Sequence, residues 1–243
     1  MRLSILIPVH NEADNILPLL GEIDLALGRP GFSGFLPAEI IVVDDGSTDA
    51  TLSQLKSALA RHPNLRVLRH DRRSGQSAAL LSGGRAARGE WIATLDGDGQ
   101  NDPADLDRLA AALTADPGLG LASGLRQKRK DTLSRRLASR FANKLRQSIL
   151  QDGCTDSACG LKIFRRDAFL ALPGFDGMHR FMPALFLSQG HRAVYVAVTH
   201  RPRQRGVSKV TNAGRALVGL TDLFGVWWLK RRARRPLVSE ERS

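Results

Sequence analysis

Three times in the first hundred residues, a short apolar run stops abruptly on a polar cluster. Leu3-Ser4-Ile5-Leu6-Ile7 ends at Pro8 and leads into Val9-His10-Asn11-Glu12. Glu39-Ile40-Ile41-Val42-Val43 stops on Asp44-Asp45-Gly46-Ser47, and Trp91-Ile92-Ala93-Thr94-Leu95 stops on Asp96-Gly97-Asp98. Apolar runs this short, bounded by turn residues, read as buried strands. Helical patterns separate them. One runs from Glu12 to Leu27, with Ile16, Leu17, Leu19, Leu20, Ile23 and Leu27 in register. A second reaches roughly Ala60 and has Thr48 or Asp49 as its candidate cap. A third spans Gln76 to Ala87, and Pro103 suits the first turn of a fourth. Leu65–Leu68 and Leu119–Ala122 read as further strands. Strand–helix alternation of this kind implies a mostly parallel α/β sheet covered by helices. In such sheets ligands bind at the carboxyl ends of the strands, so the three polar clusters are expected along one edge.

The third cluster has the clearest chemistry. Asp96, Asp98 and Gln100 place two carboxylates and an amide oxygen at alternate positions of a turn, a hard oxygen set suited to Mg²⁺ or Mn²⁺ shared with a diphosphate. Glycines at 97 and 99 allow a tight turn and leave room for a substrate. Asp-x-Asp alone also occurs in ordinary turns and calcium loops; its place after a strand, third in a series, is what gives it weight. The other two clusters, Pro8 to Glu12 and Val43 to Asp49, are expected to cradle a nucleotide, with a carboxylate accepting from a base N–H or a ribose hydroxyl. His10 reads as a packing or rim histidine rather than a base.

The second half of the chain is less regular and strongly basic. The 243 residues carry a formal charge of +12, yet residues 1–60 hold three basic and eight acidic residues, a net of about −5, leaving about +17 on the remainder. Arg126 to Arg146 and Arg201 to Arg235 hold most of the excess. An anionic partner follows, and nucleic acid, anionic lipid and phosphorylated substrate all fit. The basic stretches lack interleaved aromatics and any nucleic-acid motif, which disfavours the first. Residues 131–150 are expected to form a basic helix, and Ala193–Val198 a strand. Cys154 and Cys159 match neither a zinc ribbon nor a redox pair and read as reduced structural thiols. Met1-Arg2 runs directly into the first strand, so no signal peptide is expected.

Taken together, Ile7-Pro8-Val9-His10-Asn11-Glu12, Val42-Val43-Asp44-Asp45-Gly46-Ser47-Thr48-Asp49, Gly75-Gln76-Ser77-Ala78-Ala79 and Thr94 to Pro103 resemble the family 2 inverting glycosyltransferases of the GT-A fold. Gly160 to Arg166 and Arg203-Gln204-Arg205-Gly206-Val207-Ser208-Lys209 extend the resemblance over roughly residues 3–230 and bring it nearest to dolichyl-phosphate mannose synthases and undecaprenyl-phosphate sugar transferases. The resemblance implies transfer of a hexose, of mannose or glucose type, from a nucleotide-diphosphate sugar to a polyprenyl phosphate. It implies that Asp96, Asp98 and Gln100 surround the metal, and that Pro8, Val9, Asn11, Glu12, Asp44, Asp45, Gly75 and Asp96 serve the nucleotide-sugar. Arg126 and Arg140 become candidates for the acceptor phosphate, Arg203 and Lys209 for the donor diphosphate or that same phosphate. Many family members that glycosylate a hydroxyl carry an acidic pair before a helix; none is visible between 150 and 190, where Asp156 and Asp176 stand as isolated carboxylates. A phosphate monoester has a second pKa of about 6 and needs no base. A hydroxyl acceptor in a polysaccharide, or a nucleotide-sugar binder without activity, are the alternatives within this resemblance.

Residues 1–210 are expected to form the transferase domain, and 211–243 an amphipathic helix with a basic tail. Ala216 to Leu229 is apolar apart from Thr221 and Asp222. At about 14 residues it is too short for a span, which needs about 20. Phe224, Trp227 and Trp228, followed by Lys230, Arg231 and Arg232, suit a helix lying in the interface of an anionic leaflet, at the inner face of a cytoplasmic membrane. A core helix, a second copy of the chain or a small integral membrane protein are the other partners such a helix would fit.

Overall fold

A computed structural model of the chain describes residues 2–126, 144–202 and 213–233; for 213–218 it describes the helical backbone alone. Seven strands form one sheet in the order β3-β2-β1-β4-β6-β5-β7. β1 (Leu3–Val9), β2 (Ala38–Asp44), β3 (Leu65–Arg69) and β4 (Trp91–Thr94) are mutually parallel. β5 (Leu119–Arg126) pairs in parallel with β7 (Arg192–Val198), and β6 (Lys162–Arg165) runs antiparallel between β4 and β5. The helices are α1 (Ala13–Leu27), α2 (Thr51–Ala58), α3 (Gln76–Ala86), α4 (Leu106–Ala115), α5 (144–150), α6 (Arg166–Leu170), α7 (Met182–Ser188) and α8 (Ala213–Arg232).

Successive side chains of a strand point to opposite faces, and here both faces are covered. Leu3, Ile5, Ile7 and Val9 of β1, with Ile40 and Val42 of β2, pack under α1, α2 and α4. Leu6, Ile41 and Val43 face the other way, against α3, α6, α7 and the buried side of α8. The aromatic centre of this second layer is Phe164 of β6, whose ring lies 5.0 Å from Phe169 and 5.6 Å from Phe186. Several polar groups in the sheet are paired. The buried Ser4 hydroxyl donates to Glu39 and accepts from the Gly89 amide, while Glu39 also accepts from Arg66 and the Arg88 amide.

The expected parallel α/β sheet is present, with two differences. β6 separates β4 from β5; its Lys-Ile-Phe-Arg sequence has only two apolar residues and shows no strand signal alone. Helix α2 starts at Thr51, one residue later than an Asp49 cap would place it, although the Asp49 carboxylate does accept from the amide and hydroxyl of Thr51 at its first turn. Of the basic helix expected over 131–150, only 144–150 falls among the described residues.

The strand order turns back at β1, with β2 and β3 on one side and β4 on the other. A crevice opens at such a switch point, outside the carboxyl ends of the strands. Pro8 and Val9 lie at the end of β1 and Asp96 just beyond β4, so two polar clusters flank it. Because Phe164 joins β6 to α6 and α7, Phe164→Ala is expected to lower the unfolding free energy by about 3–5 kcal/mol, read by denaturant titration.

Candidate functional site

The His10-Asn11-Glu12 turn and the loop after β2 are knitted together. The Asn11 amide donates to the Ser47 hydroxyl at 2.9 Å, its side-chain oxygen accepts from the Thr48 amide at 2.7 Å, and the Glu12 amide donates to Thr51 Oγ1 at 2.9 Å. His10 Nδ1 lies 2.8 Å from the Asp45 carbonyl. Asn11 thus fixes the loop. Asp44 and Asp45 differ sharply. Asp45 Oδ1 accepts from His70 at 2.7 Å and the Ser74 amide at 2.8 Å, and its Oδ2 accepts from the Gly75 amide at 2.8 Å. Burial pushes this carboxyl up, but the bonds from His70, Ser74 and Gly75 outweigh it and hold it below its ordinary value. Asp45, expected to serve the nucleotide-sugar, clamps the 70–75 loop. Asp44 is wholly buried; its Oδ1 accepts from the Ser47 amide at 3.0 Å, and its Oδ2 has no hydrogen-bond partner, with Arg69 Nε at 3.9 Å. Of the two, Asp44 is the carboxylate with an acceptor in hand.

Asp96 sits where β4, β6 and α3 meet. Its Oδ1 accepts from Gln76 Nε2 at 2.8 Å, and its Oδ2 from Asn101 Nδ2 at 3.4 Å. Burial first, and then the charge of Asp98, push its carboxyl above the ordinary range, against Lys162, Arg126 and the Gln76 bond. Gly160 has to be glycine, since a Cβ there would fall 2.2 Å from Asp96 Oδ2. Gly97 is required by close approach, because its Cβ would fall 2.5 Å from Val9 Cγ1. Asp98 Oδ1 accepts from the Gln100 amide at 3.1 Å. The Gln100 side-chain nitrogen faces the Arg201 carbonyl at 3.5 Å, which leaves its amide oxygen for the turn. Among the described residues no group of three or more His, Cys, Asp or Glu could enclose a metal. Two carboxylates and one amide oxygen fit instead a divalent cation that completes its shell with water and a diphosphate. The two neighbouring negative charges at Asp96 and Asp98 would be relieved by it.

A cleft of about 130 Å³ adjoins Asp96, lined by Pro8, Gln76, Thr94, Gly160, Lys162, His179 and Arg180 among others. Lys162, Gln76, His179 and Arg180 were missed in the sequence. Gln76 and Lys162 lie within the Gly75–Ala79 and Gly160–Arg166 motifs, and the antiparallel pairing of Thr94 with Lys162 is what brings the latter in. His179 and Arg180 precede α7, and His179 Nδ1 lies 2.8 Å from the Ser77 hydroxyl at the start of α3.

The expected arginine cluster is only partly described. Arg140, Arg203 and Lys209 lie outside the described residues. Arg126, expected to await an acceptor phosphate, makes a two-pronged contact with Asp156, at 2.7 Å on each prong, and also donates its amide. Burial would lower its pKa, but the bonds and charge of Asp156 hold it above the usual value. Asp156 is therefore the partner of Arg126 and not an isolated carboxylate. Arg146 likewise pairs with buried Asp152. Arg201 bridges Glu22 at 2.8 Å and Asp102 at 2.6 Å, and its amide donates to the Gln100 carbonyl, tying the end of the β7 segment to the Asp96–Gln100 turn. Cys154 and Cys159 form no disulfide and are buried, with the Cys154 thiol pushed up to about 11 by burial, as suits structural thiols.

Helix α8 carries apolar residues on two sides. Leu223 and Val226 are buried and Trp227 packs half-buried beside them, whereas Leu220, Phe224 and Trp228 are 43%, 59% and 53% exposed at four-residue spacing. Trp227, expected at a membrane with Trp228, belongs to the core side, with the Arg231 guanidinium 4.6 Å from its ring. Lys230 also turns inward. Its ammonium donates to the Leu150 carbonyl, and burial lowers its pKa. Among the described residues, no helix is long and apolar enough to cross a membrane.

A mostly parallel sheet with a carboxylate-bearing turn at its switch point and a cleft beside it has the layout of an α/β enzyme. The chain belongs to the glycosyltransferases of family 2: the model described as "Glycosyl transferase family 2" matches residues 4–172. Among its relatives is the dodecaprenyl-phosphate galacturonate synthase of Rhizobium johnstonii, 37% identical over 97% of this chain and 69% of that protein. The undecaprenyl-phosphate 4-deoxy-4-formamido-L-arabinose transferase of Edwardsiella ictaluri is 35% identical over 85% of this chain and 62% of its own length. The chain thus spans about two thirds of these relatives. Two solved structures share the GT-A fold. The glucosyl-3-phosphoglycerate synthase of Mycobacterium tuberculosis has a TM-score of 0.68 at 18% identity, over 94% of this chain and 79% of that one. A mannosyltransferase of Pyrobaculum calidifontis has a TM-score of 0.65 at 24% identity, over 97% and 66%.

The Asp45 clamp can be tested by pH. A carboxyl whose folded pKa is depressed contributes stability above its unfolded pKa, about 3.9, and loses that contribution as pH falls through the folded value. Asp45→Asn is therefore expected to cost about 1–3 kcal/mol at pH 7, with the gap to the parent protein closing in acid below the ordinary carboxylate range. Urea titrations of both proteins across pH 2–7 check it.

Proposed function

We propose that this glycosyltransferase moves a sugar from a nucleoside-diphosphate sugar onto the phosphate of a polyprenyl phosphate, using a divalent cation, at a membrane surface. The observation that carries the acceptor assignment is the composition of the cleft beside Asp96. Among the described residues that line it, Asp96 is the sole carboxylate, while Lys162, His179 and Arg180 supply cationic or proton-bearing walls. A hydroxyl acceptor needs a base to take its proton. A phosphate dianion needs none; its difficulty is repulsion from the donor diphosphate, which cationic walls offset. The names of the two relatives, both polyprenyl-phosphate sugar transferases, support the same acceptor.

In this reading an oxygen of the acceptor phosphate attacks the anomeric carbon. The bond from that carbon to the donor diphosphate breaks, and its electron pair leaves on the nucleoside diphosphate. Asp44 would face the nucleoside, and Asp96, Asp98 and Gln100 would hold the cation, which would neutralise charge on the departing diphosphate. Gln76, Asn101 and Gly160 fix the Asp96 carboxylate in place before substrate arrives. For the sugar, the relatives' galacturonate and formamido-arabinose stand beside the mannose- or glucose-type hexose of the sequence resemblance. A donor panel over these four, read by mass spectrometry, assigns it.

The exposed row Leu220, Phe224 and Trp228, with Arg231 and Arg232 at its end, supplies the apolar contact and the cations of an interfacial helix. The partner in this reading is an anionic lipid surface, where the long-chain acceptor resides.

Two outcomes are expected. Purified enzyme with Mn²⁺ glycosylates a short polyprenyl phosphate and leaves the matching polyprenol unmodified, while Asp98→Ala lowers turnover by about 10²-fold or more without loss of fold. Equal rates on the alcohol and the phosphate, by mass spectrometry, would contradict the acceptor assignment. Replacing Phe224 and Trp228 together by Ser, which spares the buried Leu223 and Val226, is expected to cut co-sedimentation with anionic liposomes and to slow reaction on long-chain acceptors more than on short ones.

A further inference from the structure

Arg180 is one of the cationic walls of the cleft, and its own contacts give it a more specific place there. It lines the same cavity as Asp96. Its Nη2 donates to Asp222 Oδ2 of α8 at 2.9 Å, and its guanidinium lies 6.0 Å from the Phe181 ring. Its Nε is buried and has no hydrogen-bond partner. Gly177 makes room for the pair, because a Cβ there would fall 2.6 Å from Arg180 Nη2 and 3.0 Å from Asp222 Oδ2. Lys162, the other cation of the cleft, is differently disposed: its ammonium is turned to the carbonyls of Cys159 and Ser157. A buried guanidinium N–H left without an acceptor is costly, so an acceptor arriving in the cleft is favoured. Arginine presents a rigid fork that matches phosphate oxygens, and a carboxylate holding one nitrogen orients the rest.

We propose that Arg180 contacts a phosphate oxygen of a bound substrate, and that Asp222, reaching over from α8, is its positioning residue. This rests on the reading that the substrates of this cleft carry phosphate. It gives α8 a second task. The helix that presents Leu220, Phe224 and Trp228 outward holds, through Asp222, a cation on the wall of the catalytic cleft. Seating of α8 and geometry of the cleft are thereby linked through one ion pair.

The test uses the full chain with Arg180→Gln, Arg180→Lys, Asp222→Asn and Asp222→Glu, each first checked for an unchanged melting transition. Uridine and guanosine diphosphates with Mn²⁺ are titrated calorimetrically, and kcat and KM are measured with farnesyl phosphate. Arg180→Gln is expected to weaken one phosphate ligand by about 10-fold or more, with Arg180→Lys recovering only part, since an ammonium lacks the fork. Asp222→Asn is expected to raise the KM or Kd of that same ligand several-fold with kcat little changed, and Asp222→Glu to restore it; a merely structural role would show neither the split nor the rescue. A change confined to farnesyl phosphate assigns the contact to the acceptor, and one confined to the nucleoside diphosphate assigns it to the donor. Folded Arg180→Gln protein with unaltered affinity for both ligands overturns the proposal. Should the parent enzyme leave farnesyl phosphate untouched, the acceptor reading fails by itself, and diphosphate affinity alone decides the role of Arg180.

Discussion

The carboxylate of Asp96 stands at the one point where the parallel sheet changes direction, and three separate elements converge to hold it. α3 reaches it through Gln76, the turn after β4 through Asn101, and the segment leading into β6 through Gly160, whose missing side chain is the space the carboxylate fills. Burial and the adjacent Asp98 charge both work against ionisation there. A carboxylate held against burial and a neighbouring like charge gains from a cation, and in the proposed reaction it would share one with a diphosphate. β6 is the element that makes this possible. By entering antiparallel beside β4, it brings Gly160 and Lys162 to the switch point from a part of the chain far from the first three strands.

The start of α3 is the second organising element. Its Gly75 amide is held by Asp45 from the end of β2, Gln76 reaches Asp96 beyond β4, and Ser77 meets His179 ahead of α7. The end of β2, the turn after β4 and the segment ahead of α7 are therefore coupled through three consecutive residues. This explains why Asp45 and Asp44, adjacent in sequence, do different work: one is spent on positioning α3, and the other keeps a buried oxygen available.

The parallel strands, their order of appearance and the polar clusters at their ends were legible in the sequence, because buried strands ending on Asp or Asn leave a strong local pattern. Which carboxylate of the Asp44-Asp45 pair is structural was not legible, since it depends on the His70 to Gly75 loop folding back. The same holds for Arg126 and Lys230. Both read as cations awaiting an anion, yet tertiary contacts give Arg126 to Asp156 and Lys230 to the Leu150 carbonyl. Trp227 and Trp228 are neighbours in sequence but lie about 100° apart around a helix, so one faces the core and the other faces outward. His179 and Arg180 carry no motif readable locally; only the packing of α7 against the sheet puts them at the cleft.

The account turns on the Asp96–Gln100 turn being the seat of a cation that is completed by a nucleoside diphosphate. Electron paramagnetic resonance of Mn²⁺ titrated into the enzyme measures this directly, because bound and free ion give different signals. The account predicts weak binding to the enzyme alone, binding strengthened at least tenfold by the cognate nucleoside diphosphate, and loss of both in Asp96→Asn. Mn²⁺ affinity that is indifferent to every nucleoside diphosphate, or that survives Asp96→Asn, would contradict it.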